Sequence, residues 1–321
     1  MLYLFLGIAV LLLIVVIAAA NFLINTSIRR QPPLPPHDPE TLPPFWQDYI
    51  ARNNAALAAL DTLPHEVLTL NAHDGVSLRA RFFPIAGNGS GQDTVIVVHG
   101  YRSSAGDFAM MIPWYRAQNF NVLVAENRAH GGSAGDFVGF GALDRIDCAA
   151  WCRLLAERMP DRAIFLHGIS MGAATVTLTA CHPLPPQVKG VIADCGYSSA
   201  VAEFRHVMHS TMHIPRAVSA LLMPVASLFC RLRAGYFFGD ADPLRALAHA
   251  HLPILFVHGG KDDYVPTEMA YRLYDACPTD KALLIVDDAT HGVSYAIDPS
   301  RYEAAMRAFY AKHRPADEGA S

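Results

Sequence analysis

The sequence predicts an α/β protein: one mostly parallel β-sheet covered on both faces by helices. Three observations carry that prediction. Strand-like and helix-like runs alternate from Val67 to His313, the pattern of strands joined by helical crossovers. The run Thr94-Val95-Ile96-Val97-Val98 is continuously β-branched, which suits a strand buried on both faces. Gly168-Ile169-Ser170-Met171-Gly172 falls between a strand run and a helix run, with glycines where a tight strand-to-helix turn needs them.

The first segment stands apart. Met1 to Ile24 contains no charged residue. As a helix it would span about 36 Å, enough to cross a hydrocarbon core of about 30 Å. A cleavable signal would carry a basic start and a shorter apolar run, although Ala18-Ala19-Ala20 resembles a cleavage site. Residues 1–25 are therefore read as a single-pass membrane anchor. Arg29 and Arg30 follow it, and arginines flanking a span stay on the cytoplasmic side, so the remaining chain is expected to face the cytoplasm. Clustered prolines from Gln31 to Pro44 make residues 26–44 a stiff, extended stalk. Deleting residues 1–30 is expected to release a folded, soluble domain. That domain is assigned to 45–315, with a disordered tail at 316–321.

Within the domain, Phe45-Trp46 and Tyr49 open a helical pattern reaching Leu60. Val67–Asn71 and Ser77–Phe83 read as strands joined by a turn at His73-Asp74-Gly75, an antiparallel hairpin at one sheet edge. Further strands are expected at Thr94–Val98, Val122–Ala125, Ala163–Leu166, Val188–Ala193, Pro253–His258 and Ala282–Val286. Helices are expected at Ser104–Gln118, Leu143–Arg158, Met171–Ala180 and Pro299–His313. Residues 198–247 carry no strand signal and read as a helical lid inserted over the carboxyl edge of the sheet, where open α/β sheets bind ligands. Its uncharged run Ala217–Cys230 is too short to span a bilayer and suits a cover for an acyl pocket or a contact with the membrane surface.

Charge excludes one class of function. Lys and Arg total 25 against 29 Asp and Glu, for a net charge of −4, so no basic field attracts nucleic acid. Six cysteines lie scattered without a CxxC spacing and read as buried free thiols.

Chemistry concentrates at three strand ends. Ser170, on the strand-to-helix turn, projects its hydroxyl away from the sheet, beside helix amides that favour negative charge. A serine hydroxyl needs a base. The strand Ile254–Val257 runs into His258-Gly259-Gly260-Lys261-Asp262-Asp263, offering two adjacent carboxylates. The strand Leu283–Val286 runs into a loop containing His291. Nucleophile, acid and base thus follow in the chain order Ser, Asp, His, each just past a strand.

From Val67 to His313 the chain resembles the α/β-hydrolase superfamily. The matching pieces are His99-Gly100, Glu126-Asn127-Arg128-Ala129-His130-Gly131, GISMG, HGGKDDYVP and the ATHG histidine. The resemblance implies an α/β-hydrolase fold: a mostly parallel eight-stranded sheet, helices on both faces and a helical lid. The family's G-x-x-D-x-x-V-P register makes Asp262 rather than Asp263 the acid. It also implies an oxyanion hole from the backbone amides of Met171 and Tyr101. Glu126 stands where many relatives carry Asp, at a position that supports its loop.

Other candidates are set aside. His99, His130, His167 and His258 lie beside the wrong elements and read as loop supports. Asp194, at the end of Val188–Ala193, is an alternative acid. His206, His209 and His213 have helical spacing suited to zinc, but no carboxylate or thiolate joins them. The expected activity is hydrolysis of an ester or thioester with an apolar acyl group through an acyl-enzyme on Ser170, with no metal or cofactor. The membrane is the one expected partner besides a small-molecule or acylated substrate. The alternatives are a serine peptidase using the same three residues, with Glu203 in the lid receiving a free amino terminus, and a catalytically idle membrane scaffold.

Overall fold

The computed structural model describes residues 1–32 and 41–314. Most of the proline-rich run and the expected tail lie outside the described residues.

Helix α1 spans Leu2–Leu23 and continues into a π-helical turn at Ile24–Ile28. Helix α2 spans Pro44–Thr62, with proline at its first position, where a missing amide costs nothing. Strands β1 (Glu66–Asn71) and β2 (Ser77–Phe83) form the expected hairpin. Gly75 takes a positive φ of 83° at its turn, and the Ala72 amide closes the loop on the Val76 carbonyl (2.8 Å). Next come β3 (Thr94–Val98), α3 (Ile112–Ala117), β4 (Asn121–Glu126), α4 (Asp144–Arg158), β5 (Ile164–Ile169), α5 (Met171–Thr179) and β6 (Val188–Asp194). The lid holds α6 (Ala200–Ser210), α7 (Arg216–Ala234) and the short α8 (Pro243–Ala246). The chain returns through β7 (Ile254–Gly259), α9 (Glu268–Ala276), β8 (Lys281–Val286), the single turn α10 (Ser294–Ile297) and α11 (Pro299–His313).

The strands form one eight-stranded sheet in the order β1-β2-β4-β3-β5-β6-β7-β8. Pairing is antiparallel from β1 to β2 and from β2 to β4, and parallel everywhere else. Every residue of β3 is buried, because alternate side chains serve two cores. Ile96 and Val98 point to one face, covered by Trp151 and Leu155 of α4 and Val176 of α5. Val95 and Val97 point to the other, covered by Leu60 of α2, Tyr115 of α3 and Phe309 of α11. Arg128, just past β4, binds Asp147 of α4 through two nitrogens (2.7 Å each) and Asp74 of the hairpin turn (2.8 Å), tying three elements together.

Three expectations change. The helix placed at Ser104–Gln118 is two pieces, a 3-10 turn at Ala105–Phe108 and α3, with Pro113 inside the first turn of the second. Helix α9 has no counterpart among the expected elements. The extended stalk expected at 26–44 does not hold at its start, where residues 26–28 belong to the π-helical turn. Ile24 and Ile28 are buried, the Arg30 amide donates to the Asp136 carbonyl (2.7 Å), and the Arg30 guanidinium donates to the carbonyls of Ser133 and Gly131 (2.7 and 2.6 Å). Residues 24–30 are therefore part of the domain surface rather than a free spacer.

Candidate active site

Ser170 sits between β5 and α5 at φ 57°, ψ −117°, a conformation that non-glycine residues avoid. The neighbours that permit it are small for a visible reason. A Cβ on Gly172 would run into the Val98 carbonyl, and one on Gly168 into the Gly172 carbonyl. The turn is pinned by the Ser170 amide, which donates to the Asp194 carbonyl (2.8 Å). Met171 opens α5, so its amide belongs to the first turn and has no acceptor within the helix.

The structure brings the three strand-end residues together. His291 Nε2 lies 2.9 Å from Ser170 Oγ, and His291 Nδ1 lies 2.8 Å from Asp262 Oδ2. The second oxygen of Asp262 accepts the amides of Tyr264 and Val265 (3.1 and 2.9 Å), which fixes the carboxylate's plane. Burial would raise the Asp262 pKa, but hydrogen bonds from His258 and His291 outweigh it and hold the group at about 2. Asp262 is thus an anion, and the imidazole nitrogen facing it carries the proton. That leaves Nε2 free to accept the serine proton.

The competing carboxylates are engaged elsewhere. Asp263 is exposed, and its backbone carbonyl accepts from His206 Nε2 (2.7 Å). Asp194 accepts from Tyr302 Oη (2.9 Å), and burial raises its pKa to about 6. The set-aside histidines are loop or core supports. His99 Nε2 accepts the Asn127 amide (3.1 Å), His130 Nε2 accepts the Arg102 amide (3.0 Å), and His167 lies between Tyr115 and Tyr302 (2.6 and 3.0 Å). Burial pushes His99 and His167 down to about 3, so both are neutral. His209 meets the Ile214 carbonyl (2.7 Å) and His206 the Asp263 carbonyl, so the two lid histidines serve different backbone acceptors. Glu126 does support its loop, accepting the Gly132 amide (2.5 Å) and pairing with Arg79 (3.3 Å).

Several site residues had no clear signal in the sequence. His258 Nε2 donates to the Val265 carbonyl (2.9 Å) and lies 3.2 Å from Asp262 Oδ2, beneath the acid. Asp107 accepts the Gly100 amide (2.7 Å) and the Ser103 hydroxyl, which holds the loop carrying Tyr101. The Tyr264 ring packs 5.0 Å from the His291 ring.

Ser170 opens into a cleft lined mostly by apolar side chains. Its walls come from the lid (Phe204, Met208, Met223), from the Tyr101 ring and, unexpectedly, from Leu23, Ser27 and Ile28 at the end of α1 and its π turn. Glu203 is the only acidic or basic residue lining it among the described residues. The Glu203 side chain is almost fully buried, and neither oxygen has a hydrogen-bond partner. Burial, reinforced by the nearby Asp262 charge, raises its pKa to about 8, so it is a neutral acid at pH 7.

An eight-stranded sheet in this order, with a serine on a strained turn after β5 and a hydrogen-bonded histidine and aspartate at the same edge, is the architecture of the α/β-hydrolase fold. The fold is that of the α/β-hydrolase superfamily, and residues 89–231 match the family model described as serine aminopeptidase, S33. Among relatives, it is 28% identical over 218 residues to the uncharacterized protein YqkD of Bacillus subtilis, covering 68% of this chain and 70% of that one. It is 24% identical over 237 residues to the uncharacterized membrane protein YNL320W of Saccharomyces cerevisiae, covering 74% of this chain and 76% of that one. The fold is shared with the Pyrococcus furiosus esterase Pf2001, at a TM-score of 0.64 and 19% identity over 90% of this chain and 99% of that one. It is also shared with the esterase domain of a Rhodothermus marinus protein, at a TM-score of 0.53 and 20% identity over 78% and 99%.

Proposed function

We propose that the protein is a membrane-anchored serine hydrolase that cleaves an ester or thioester bearing an apolar acyl group. The observation that carries this reading is His291, hydrogen-bonded on one side to Ser170 and on the other to a carboxylate held ionised. Ser170 Oγ attacks the carbonyl carbon while its proton passes to His291 Nε2. The oxyanion accepts hydrogen bonds from the amides of Met171 and Tyr101. The carbonyl re-forms as the leaving oxygen or sulfur departs with the proton from Nε2, leaving an acyl-serine. Water, deprotonated by the same nitrogen, then releases the acid. Asp262 keeps the proton of the resting imidazole on Nδ1 and stabilises the imidazolium. The apolar cleft supports an apolar acyl group.

The anchor is the charge-free helix α1, and the domain faces the cytoplasm on the strength of Arg29 and Arg30. The naming of YNL320W as a membrane protein supports the anchor. A fluorophosphonate probe tests the chemistry. Wild-type protein should be labelled at Ser170, and Ser170→Ala should lose both labelling and ester turnover while remaining folded. Full turnover by Ser170→Ala would overturn the mechanism.

One observation favours a second reading. Glu203 could lose its proton to a substrate's amino group and pair with the resulting ammonium, which fits a serine peptidase. Hydrolysis of aminoacyl anilides in preference to simple esters, and its loss in Glu203→Gln, would select that reading.

A further inference from the structure

Helix α7 is apolar on two opposite faces. Its inward face is buried through Leu222, Met223, Ala226 and Cys230, which share one core with Ala20, Ile24 and Ile28 of the α1 end. Arg233 near its end donates to Asn21 Oδ1 (2.6 Å), fastening the two helices. Its outward face carries Val218, Leu221, Leu228 and Leu232, which are 44–72% exposed. The inward stripe alone accounts for folding; a second stripe this apolar marks a surface meant for something other than water. Arginines bracket it, with Arg216 at the start and Arg231 and Arg233 at the end, and no charge falls between Ala217 and Cys230. An apolar body with basic ends is the composition of a helix lying at a lipid surface.

The occupant of that face follows from continuity. Val16 and Ala19 of α1 pack on the same core as α7, while the preceding turns of α1 present exposed apolar side chains. If α1 enters a bilayer, α7 is held beside the point of entry. The cleft lies between the two helices: Leu23 and Ile28 line it from one side, Met223 and Ala226 from the other, and Ser170 lies at its base.

We propose that the outward face of α7 rests in the bilayer surface beside α1, and that the substrate is a bilayer-resident acyl amphiphile that reaches Ser170 along the α1–α7 seam without crossing water. This rests on the serine-hydrolase reading and specifies its substrate. The acyl chain leaves lipid for a wall built partly from the anchor itself, so its apolar surface stays covered throughout. The headgroup remains at the interface, where Arg216, Arg231 and Arg233 stand. A water-soluble ester needs none of this path.

The test uses the full chain reconstituted into zwitterionic phospholipid vesicles and two substrates: p-nitrophenyl acetate, dissolved in water, and p-nitrophenyl palmitate, carried in the vesicles. The variant Leu221→Ser/Leu228→Ser/Leu232→Ser removes the outward stripe without touching the cleft. It should float with the vesicles through α1, take fluorophosphonate label and hydrolyse the acetate like wild type. Its kcat/KM on the palmitate should fall at least about tenfold. If the triple variant labels poorly, Leu232→Ser alone, at the most exposed position, replaces it and should show a smaller loss in the same direction. An unchanged palmitate rate in a labelled variant overturns the bilayer path and leaves the hydrolase intact. A wild-type protein that neither labels nor cleaves either ester overturns the hydrolase reading itself.

Discussion

At the scale of single residues, the two adjacent aspartates behave as different groups. Asp262 is buried and bonded to His291, whereas Asp263 points to solvent. Asp262→Asn should keep the geometry but favour the wrong imidazole tautomer, and kcat/KM on a simple ester should fall by up to about 10⁴-fold. Asp263→Asn should change it little, since an exposed charge is worth under about 1 kcal/mol. A crippled Asp263→Asn beside a normal Asp262→Asn would show that the register is wrong. Glu203 yields a pH prediction. Its pKa rises from 4.5 in the unfolded chain to about 8 in the folded one. Between those values the folded state holds a proton that the unfolded state has released, so stability falls as pH rises through that window and levels off above it. Glu203→Gln has no such proton. Its denaturant midpoint should decline less than wild type's from pH 5 to pH 8; parallel declines would place the pH dependence elsewhere. Ser170 in its glycine frame and His291 just past a strand end were legible from local sequence, whereas Asp262 was told from Asp263 only by the family resemblance. Asp107 and His258 were not legible as site residues, because what they hold is defined only when separate loops meet.

At the scale of elements, complete burial made some strands plain. Strands β3, β5 and β7 are buried along their whole length, so their apolar runs announce them. Helix α9 has nine residues, and its buried Met269, Ala270 and Leu273 are too few to establish a period by themselves. The packing of the α1 end on the domain was not legible for a related reason: an apolar helix reads the same whether its neighbour is lipid or protein. The crossing of β3, β5 and α5 is the least tolerant junction. The Cβ in Gly172→Ala would meet the Val98 and His99 carbonyls, which belong to the core strand and the loop after it and cannot retreat. That variant should accumulate as insoluble or unlabelled protein, whereas Gly239→Ala, with open space around its Cβ, should label normally. Normal labelling in Gly172→Ala would mean that α5 can shift along the sheet.

At the scale of the whole molecule, the end of α1 and the domain are one structure. Truncation through residue 30 removes Ala20, Ile24 and Ile28 from the lid core and Leu23 and Ser27 from the cleft wall. Such a protein should be less stable and should turn over long-chain esters poorly, by at least about 2 kcal/mol in stability for the loss of buried aliphatic side chains. Truncation through residue 15 takes away only exposed side chains and should preserve the thermal midpoint in detergent. Equal midpoints and equal rates for the two truncations would restore the independent stalk.

The shared wall also bears on biosynthesis. The ribosome makes Leu23 first and Met223 two hundred residues later, yet the cleft needs both. On the anchored-hydrolase reading proposed above, a chain whose first helix is still held by insertion machinery lacks one side of the cleft at Ser170. Hydrolytic competence is then expected to appear only after the helix has been handed over to the bilayer, so that a chain stranded during targeting stays inert toward the lipids it passes. Pulse-labelled chains arrested before insertion should accordingly resist a long-chain fluorophosphonate that marks the mature protein.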